Sequence, residues 1–362
     1  LPAKMIDKLQ VLDKKSDMAQ MTGFDDGEEE TVINLTVKPG MKQGWFGNAY
    51  GGYGSKDRYE GNAMVNRFVN NDQITFMGGA NNTNNMGFSD LASTMFSGMG
   101  GGGGRRGGFG AGSGITSSGN AGLNFSKEFK PDKLTLGGNT RYSHSDNDAR
   151  SKSDRQNILP GDSSSYDNSE AMSRTKSDNF GVDFRLEWKP DTMTQLIFRP
   201  SFSLSHSMND NFSDATTLDN ERDTVNTNKS NNYSESNGYN LNASIDFSRK
   251  LNNKGRVFSA TLSGGNSDSY SDGMNRSDIV YFNQTDALKN SIIDQRSRYD
   301  NKGFNYRAYV SWVEPIGHNN FIQATYSISQ RKQEALKNVY NQDADGIYNV
   351  FCLLYTSDAA DE

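Results

Sequence analysis

The stretch Phe180-Gly181-Val182-Asp183-Phe184-Arg185-Leu186-Glu187-Trp188, followed by Lys189-Pro190-Asp191, sets apolar side chains at every even position. The odd positions between them carry Asp183, Arg185 and Glu187. A period of two puts the two sets on opposite faces of an extended strand, one apolar and one charged. Lys-Pro-Asp then supplies a turn, because Pro presets φ and Asp tolerates the remaining angles.

The same pattern recurs outward along the chain. Tyr239, Leu241, Ala243, Ile245 and Phe247 alternate with Asn240, Asn242, Ser244 and Asp246. Phe304, Tyr306, Ala308, Val310 and Trp312 make a third face, and Ile322, Ala324, Tyr326 and Ile328 a fourth. Less regular versions start near Trp45, Tyr59, Ile74, Ala121, Leu134, Leu196 and Phe258, so the reading is eleven strands with apolar segments of 9 to 13 residues.

The connections alternate between two kinds. Short turns are expected at Asn70-Asn71-Asp72, Lys130-Pro131-Asp132, Lys189-Pro190-Asp191, Leu251–Gly255 and Glu314–Asn319. Long polar loops are expected at about 81–119, 146–176, 207–237 and 269–303, with only the first, around Ser55–Arg58, short. Alternating strands with short turns at one end and long loops at the other are the signature of an all-β outer-membrane barrel of antiparallel transmembrane strands. A soluble β-sandwich also alternates, but nothing in it sorts loops by length onto opposite ends.

Aromatic residues sharpen the barrel reading. Phe129, Trp188, Phe247 and Trp312 each close a strand before a short turn and share the parity of its apolar face; Trp45 opens the first strand at the same level. Amphipathic rings favour the headgroup level of a bilayer, so these five are the expected membrane-interface girdle. On the other parity Asp183, Arg185, Glu187, Arg199 and Arg307 are the expected charged lining of a wet lumen. A dry core would demand a partner for every one of them.

Composition fits this reading and excludes others. The chain has 362 residues, is 33% hydrophobic and carries a net charge of −6, and no stretch approaches the roughly 20 apolar residues of a membrane-spanning helix. Acidic balance and a lone arginine pair, Arg105-Arg106 in a glycine run, leave no basic field for nucleic acid. With 20 Phe, 16 Tyr and 3 Trp, the chain has too many aromatics for a solvated coil. No nucleophile, acid–base pair or metal-ligand spacing accompanies His144, His206 or His318, so neither catalysis nor a cofactor is expected. The run Gly98–Gly110 lacks the Gly-Lys-Ser/Thr ending of a phosphate loop and reads as an external loop. Asn341-Gln-Asp343-Ala-Asp345-Gly346 has the spacing of the first half of a calcium loop, but its twelfth position falls on Cys352.

Both ends read as cut. Leu1-Pro-Ala-Lys-Met-Ile-Asp-Lys-Leu9 lacks the basic start, apolar core and cleavage site of a signal peptide. Residues 352–362, which hold the one cysteine and three of the acidic residues, resemble a one-frame translation of a transposase-end sequencing adapter and are set aside from the fold.

Residues 1–38 fall outside the meander: a strand at Lys8–Leu12, an acidic run Asp25–Glu30 and a strand at Thr31–Lys38. Met5-Ile-Asp-Lys-Leu-Gln-Val-Leu12 and Val32-Ile-Asn-Leu-Thr-Val-Lys38 resemble the last strands of the plug domain of TonB-dependent outer-membrane receptors, patterned I-E-x-I-E-V-L and G-x-I-N-I-x-T-K. Pro39–Gly47 is similar to the plug-to-barrel crossing. Leu1-Pro2-Ala3, Asp13–Asp17 and the Tyr/Gly-rich first strand resemble, more narrowly, the outer membrane protein beta-barrel family of Bacteroidota. Where that family has a glycine-rich segment before its final plug strand, this chain has Asp25–Glu30.

The resemblance implies a plug end at 1–38 and, at 39–351, the N-terminal half of a large barrel, since family barrels have 22 strands. It implies an integral place in a Gram-negative outer membrane, short turns facing the periplasm and long loops outside. It further implies contact with outer-membrane lipid, uptake of a nutrient powered by the TonB complex, and a surface lipoprotein as possible partner. The alternative is a structural or adhesive barrel without energised transport. Half a barrel leaves two unpaired edges in lipid, so the 362 residues alone are expected neither to insert nor to fold.

Overall fold

The computed structural model describes residues 6–15, 29–38, 43–84, 114–158, 164–282, 290–316, 320–343 and 345–361. Among these there is no helix. The strands are β1 (Ile6–Lys15), β2 (Glu29–Val37), β3 (Gln43–Tyr53), β4 (Tyr59–Val69), β5 (Asp72–Asn81), β6 (Ile115–Lys130) and β7 (Leu134–Asn157). They continue as β8 (Ser165–Asp191), β9 (Thr194–Leu218), β10 (Thr224–Lys250), β11 (Val257–Tyr281), β12 (Asn290–Ile316), β13 (Asn320–Gln342) and β14 (Tyr348–Asp361).

β1 and β2 pair antiparallel as a separate two-stranded sheet, with Leu9 opposite Leu35 and Val11 opposite Ile33. The other twelve strands form one antiparallel meander in strict chain order from β3 to β14. Those two end strands do not pair with each other, so the sheet is open. The sequence reading found eleven of the twelve; the twelfth, β14, consists largely of residues 352–362 and lies along β13 with Gln330 opposite Asp361.

Strand length departs most from expectation. Segments 146–176, 207–237 and 269–303 are not loops: most of each continues the flanking strands, which reach 23 to 27 residues in β8 through β13. Among the described residues 219–223 separate the paired strands β9 and β10, while 159–163 and 283–289 lie outside the described set. The cause is chemical: alternating Ser, Asn, Asp and Arg pair as strands without an apolar period, and side-chain hydrogen bonds and ion pairs between neighbouring strands knit them together. Asn157 Nδ2 donates to Asp167 at 2.7 Å, and Thr217 Oγ1 donates to the other oxygen of that carboxylate at 3.0 Å. At about 3.3 Å per residue, the 27 residues of β8 span about 90 Å, of which the apolar stretch Phe180–Trp188 covers about 30 Å.

The short turns fall near their expected places. Asn70, at φ 56°, and Asp132, at φ 57°, take the left-handed conformation that Asn and Asp tolerate. Pro190 lies within β8, which ends at Asp191, rather than turning: the turn is Thr192-Met193, held by Asp191, whose Oδ1 accepts from the Met193 amide at 2.7 Å. The expected turn at 314–319 begins later, since β12 runs to Ile316; residues 317–319 lie outside the described set.

The two faces differ in crowding. Every fully buried side chain of the sheet except Thr194 lies on one parity: Met77, Ile197, Val257 and Val313, with polar neighbours such as Asn66, Thr75, Asn139, Ser259 and Ser311. The opposite parity exposes Phe76, Phe184, Leu241, Phe304 and Tyr326. A sheet bent toward one face crowds that face. Register adds a stagger: the partner row Leu134, Trp188, Leu196, Phe247, Ala260, Val310, Tyr326 begins on the first residue of β7 and ends six residues into β13. Such a shear accompanies tilted strands in a closing barrel.

Candidate functional site: the inner polar face and the outer aromatic rim

The inner face is built of carboxamides and hydroxyls. One partner row runs Asn66, Thr75, Asn124, Asn139, Asp183, Ser201, Asn242, Gly265, Asn305 across nine strands. Asn66 Nδ2 donates to Thr75 Oγ1 at 2.5 Å within it.

Four of the five expected lining charges are partnered. Asp183 lies 3.6 Å from Arg141 on the neighbouring strand. Arg185 pairs with Glu187 two positions along at 3.4 Å, and Glu187 also takes Lys189 at 2.7 Å and Gln195 at 3.0 Å. Arg199 forms an ion pair with Asp246, whose other oxygen accepts from Thr261 at 2.7 Å. Arg307 is exposed opposite Ser263 and Ser329 and joins no ion pair among the described residues. Strand parity alone placed these residues on one face. Which pairs form depends on cross-strand register, and β9 against β10 brings Arg199 near Asp246 across a separation of 47 residues.

The five girdle aromatics lie near the short-turn end on the outer face. Trp45, Phe129, Trp188 and Trp312 are exposed and Phe247 is half-buried. Trp188 and Phe247 share a partner row through Leu196. Phe247, Phe258 and Trp312 form a contiguous run with ring centroids 6.3 and 6.4 Å apart. The polar edge of Trp312 is satisfied, since Nε1 donates to Glu314 at 3.1 Å, and Glu314 is held in turn by Arg256. Trp45 stands under the Arg67 guanidinium, 5.4 Å from the ring centroid. Phe258 is a member that strand parity could have supplied, since it is the second residue of β11 and lies on the apolar face.

The remaining candidates separate cleanly. Asp343 Oδ1 accepts from the amides of Asp345 and Ile347, and Oδ2 from Asn349, so the β13–β14 loop spends this carboxylate on its own turn. Among the described residues no group of three His, Cys, Asp or Glu could hold a metal. The glycine run 98–110 and His318 lie outside the described residues, as do 25–28 of the acidic run and 39–42 of the crossing segment. His144 and His206, which the sequence places 62 positions apart, stand on either side of Asp178 in one outer row. His144 Nδ1 lies 2.8 Å from Asp178 Oδ1.

No family model and no curated protein matches this chain. The functional reading therefore rests on the residues and their arrangement.

Proposed function

We propose that this chain is part of an outer-membrane β-barrel of the TonB-dependent receptor kind, importing a nutrient whose class, siderophore, glycan or peptide, stays open. The observation that carries the reading is the two-faced sheet. An outer apolar band of about nine residues per strand is bordered by aromatic rings near the short turns, and the same strands turn an amide-rich, ion-paired face inward. Tilted by about 40°, such a band is about 25 Å tall, the height of the apolar band of outer-membrane barrels. Strands continuing far past it in polar side chains suit hairpins standing outside the membrane. The likeness of residues 1–38 to a plug end adds the transport element, and the β1–β2 hairpin is compatible with it.

Accessibility of single cysteines to a membrane-impermeant maleimide tests the topology in cells producing the intact protein. A cysteine at Arg222, in the β9–β10 turn, should label on whole cells. One at Asn252, in the β10–β11 turn, should label only after the outer membrane is opened. The reverse pattern, or recovery in the soluble fraction, would overturn the reading. Uptake itself is tested by a deletion strain screened on single nutrients. Loss of one nutrient's uptake, reproduced by removing the TonB complex, supports transport, and unchanged growth on all of them supports a structural barrel.

A further inference from the structure

Beyond Tyr239, where the apolar band ends, the inner face of β9 to β13 holds a shallow pocket of about 280 Å³. It centres on one partner row, Asn209, Ser234, Gly273, Ser297, Val339. The next row outward, Asn211, Asn232, Asn275, Gln295, Asn341, is carboxamide throughout. In the row below, Ser236 and Ser271 meet at 2.8 Å, and Tyr299 stands opposite Lys337. Gly273 makes the dip, since a Cβ there would stand 2.6 Å from Ser297 Oγ. Tyr233 and Met274 also border the pocket but belong to the outer parity. Asn209 Oδ1 accepts from Thr175 at 3.2 Å. The carboxamides of Asn232, Asn275 and Gln295 and the hydroxyls of Ser234 and Ser297 make no side-chain hydrogen bond among the described residues. The Tyr299 ring is 39% exposed.

Lys337 is the one charge in these three rows, whereas the outer parity of the same strands carries Asp210, Glu235, Asp272, Arg276, Arg296 and Arg298. Both faces are polar here, so water alone does not sort the charges onto one of them. Crowding does not sort them either, because Gln295, Tyr299 and Lys337 all fit on the inner face. A contact surface for an uncharged solute does, since each charge the solute covered would lose hydration without gaining a partner. Hydroxyls and carboxamides both donate and accept, as sugar hydroxyls do, and an exposed ring offers its face to the C–H face of a pyranose. We propose that this inner patch binds a neutral oligosaccharide, with one ring over Gly273 held by Ser234, Asn275, Gln295 and Ser297 and the next ring on Tyr299. With neighbouring strands about 4.8 Å apart, five strands offer about 19 Å, enough for several linked rings. The proposal rests on the reading that this face lines the path of an imported nutrient, and it narrows that nutrient to an uncharged glycan.

The test uses the intact protein extracted from membranes in mild detergent. Calorimetry follows its titration with neutral α- and β-linked hexasaccharides of glucose, mannose, xylose and galactose, with hexagalacturonate, with a neutral hexapeptide and with ferric desferrioxamine. At least one neutral hexasaccharide should bind, about tenfold or more tighter than hexagalacturonate. Tyr299→Ala and Gly273→Val should each weaken that binding about tenfold, while Asp210→Asn on the outer parity should keep it. Heat-modifiable migration certifies that each variant is folded, and Gln295→Ala substitutes for any variant that is not. Three results would overturn the proposal: no neutral hexasaccharide binds, the acidic sugar, peptide or ferric chelate binds tightest, or neutral binding survives either substitution. Any of these with folded, membrane-derived protein sinks this inference alone, whereas absence from the membrane fraction sinks the barrel reading with it.

Discussion

Asp146 receives both Nε and Nη2 of Arg174 from the adjacent strand, at 3.0 and 2.7 Å, in a part of β7 and β8 that lies beyond the apolar band. The hydrogen bonds from Arg174 hold the Asp146 carboxyl below the usual carboxylate range, and Lys176 adds to the effect. A lowered folded pKa means that this contribution is complete above the unfolded value of about 3.9 and is lost as pH falls through the lower folded one. Hydrogen exchange of the β7–β8 ribbon should therefore be insensitive to the pair's titration from pH 7 to about 5 and should loosen only below about 4. Arg174 is 48% exposed, so Arg174→Ala should cost only about 0.5–1 kcal/mol, read as a few-fold faster exchange near Asp146 at neutral pH.

Gly138 lies beneath two outer rings, Phe125 and Phe184, whose centroids are 6.3 Å apart across it. A Cβ there would stand 2.6 Å from Phe184 Cδ1 and 3.0 Å from Phe125 Cε1, with the Asp183 carbonyl oxygen at 3.1 Å. Neither ring can yield without breaking the contact. Gly138→Ala should lower the stability of the folded barrel by about 1–3 kcal/mol. At Gly52 a Cβ meets nothing within 4 Å, so Gly52→Ala should leave the urea midpoint of heat-modifiable migration nearly unchanged.

How much of this was legible in the sequence follows from what each segment had to advertise. Phe180–Trp188 announces a strand because one face must be apolar and the other polar. Ser165–Ser177 on the same strand announces nothing, because both of its faces are polar and its partners are equally polar strands. The charged lining was legible as a face but not as pairs, since parity is a local property and the Arg199–Asp246 contact depends on register. An outer groove lined by Tyr142, Asp178, Tyr239 and Asp268 was illegible for the same reason: these residues belong to four strands and meet only when the four registers from β7 to β11 are set.

Arg199 and Asp246 also offer a direct measure of what the inner face contributes. Both side chains are about three-quarters or more buried, at 20% and 27% exposure, and Thr261 donates to the same carboxylate. Removing one partner leaves the other charge in a crowded surrounding, so Arg199→Ala and Asp246→Ala should each cost about 1–3 kcal/mol. The double substitution should cost less than their sum by about 1 kcal/mol or more. Additive losses in urea titrations of the inserted protein would mean the two residues act independently.

Leu241 and Asn242 are neighbours in β10 whose side chains point to opposite faces, and they isolate the membrane claim from the fold itself. Leu241 is 48% exposed within the apolar band, two residues in from Tyr239 at one end, with Phe247 at the other. Asn242 faces the inner amide row opposite Ser201 and Gly265. An arginine on the lipid side costs about 2–4 kcal/mol at the bilayer midplane and about 0–1 at the interfaces, so position 241 falls between the two, whereas a lumen-facing arginine is solvated. Leu241→Arg should thus reduce insertion of the intact protein into liposomes, measured as protease-protected, heat-modifiable product, while Asn242→Arg should insert as the parent does. A soluble sheet, wet on both faces, would tolerate the two substitutions alike. Equal insertion, or equal stability without lipid dependence, would remove the bilayer from the account of this face.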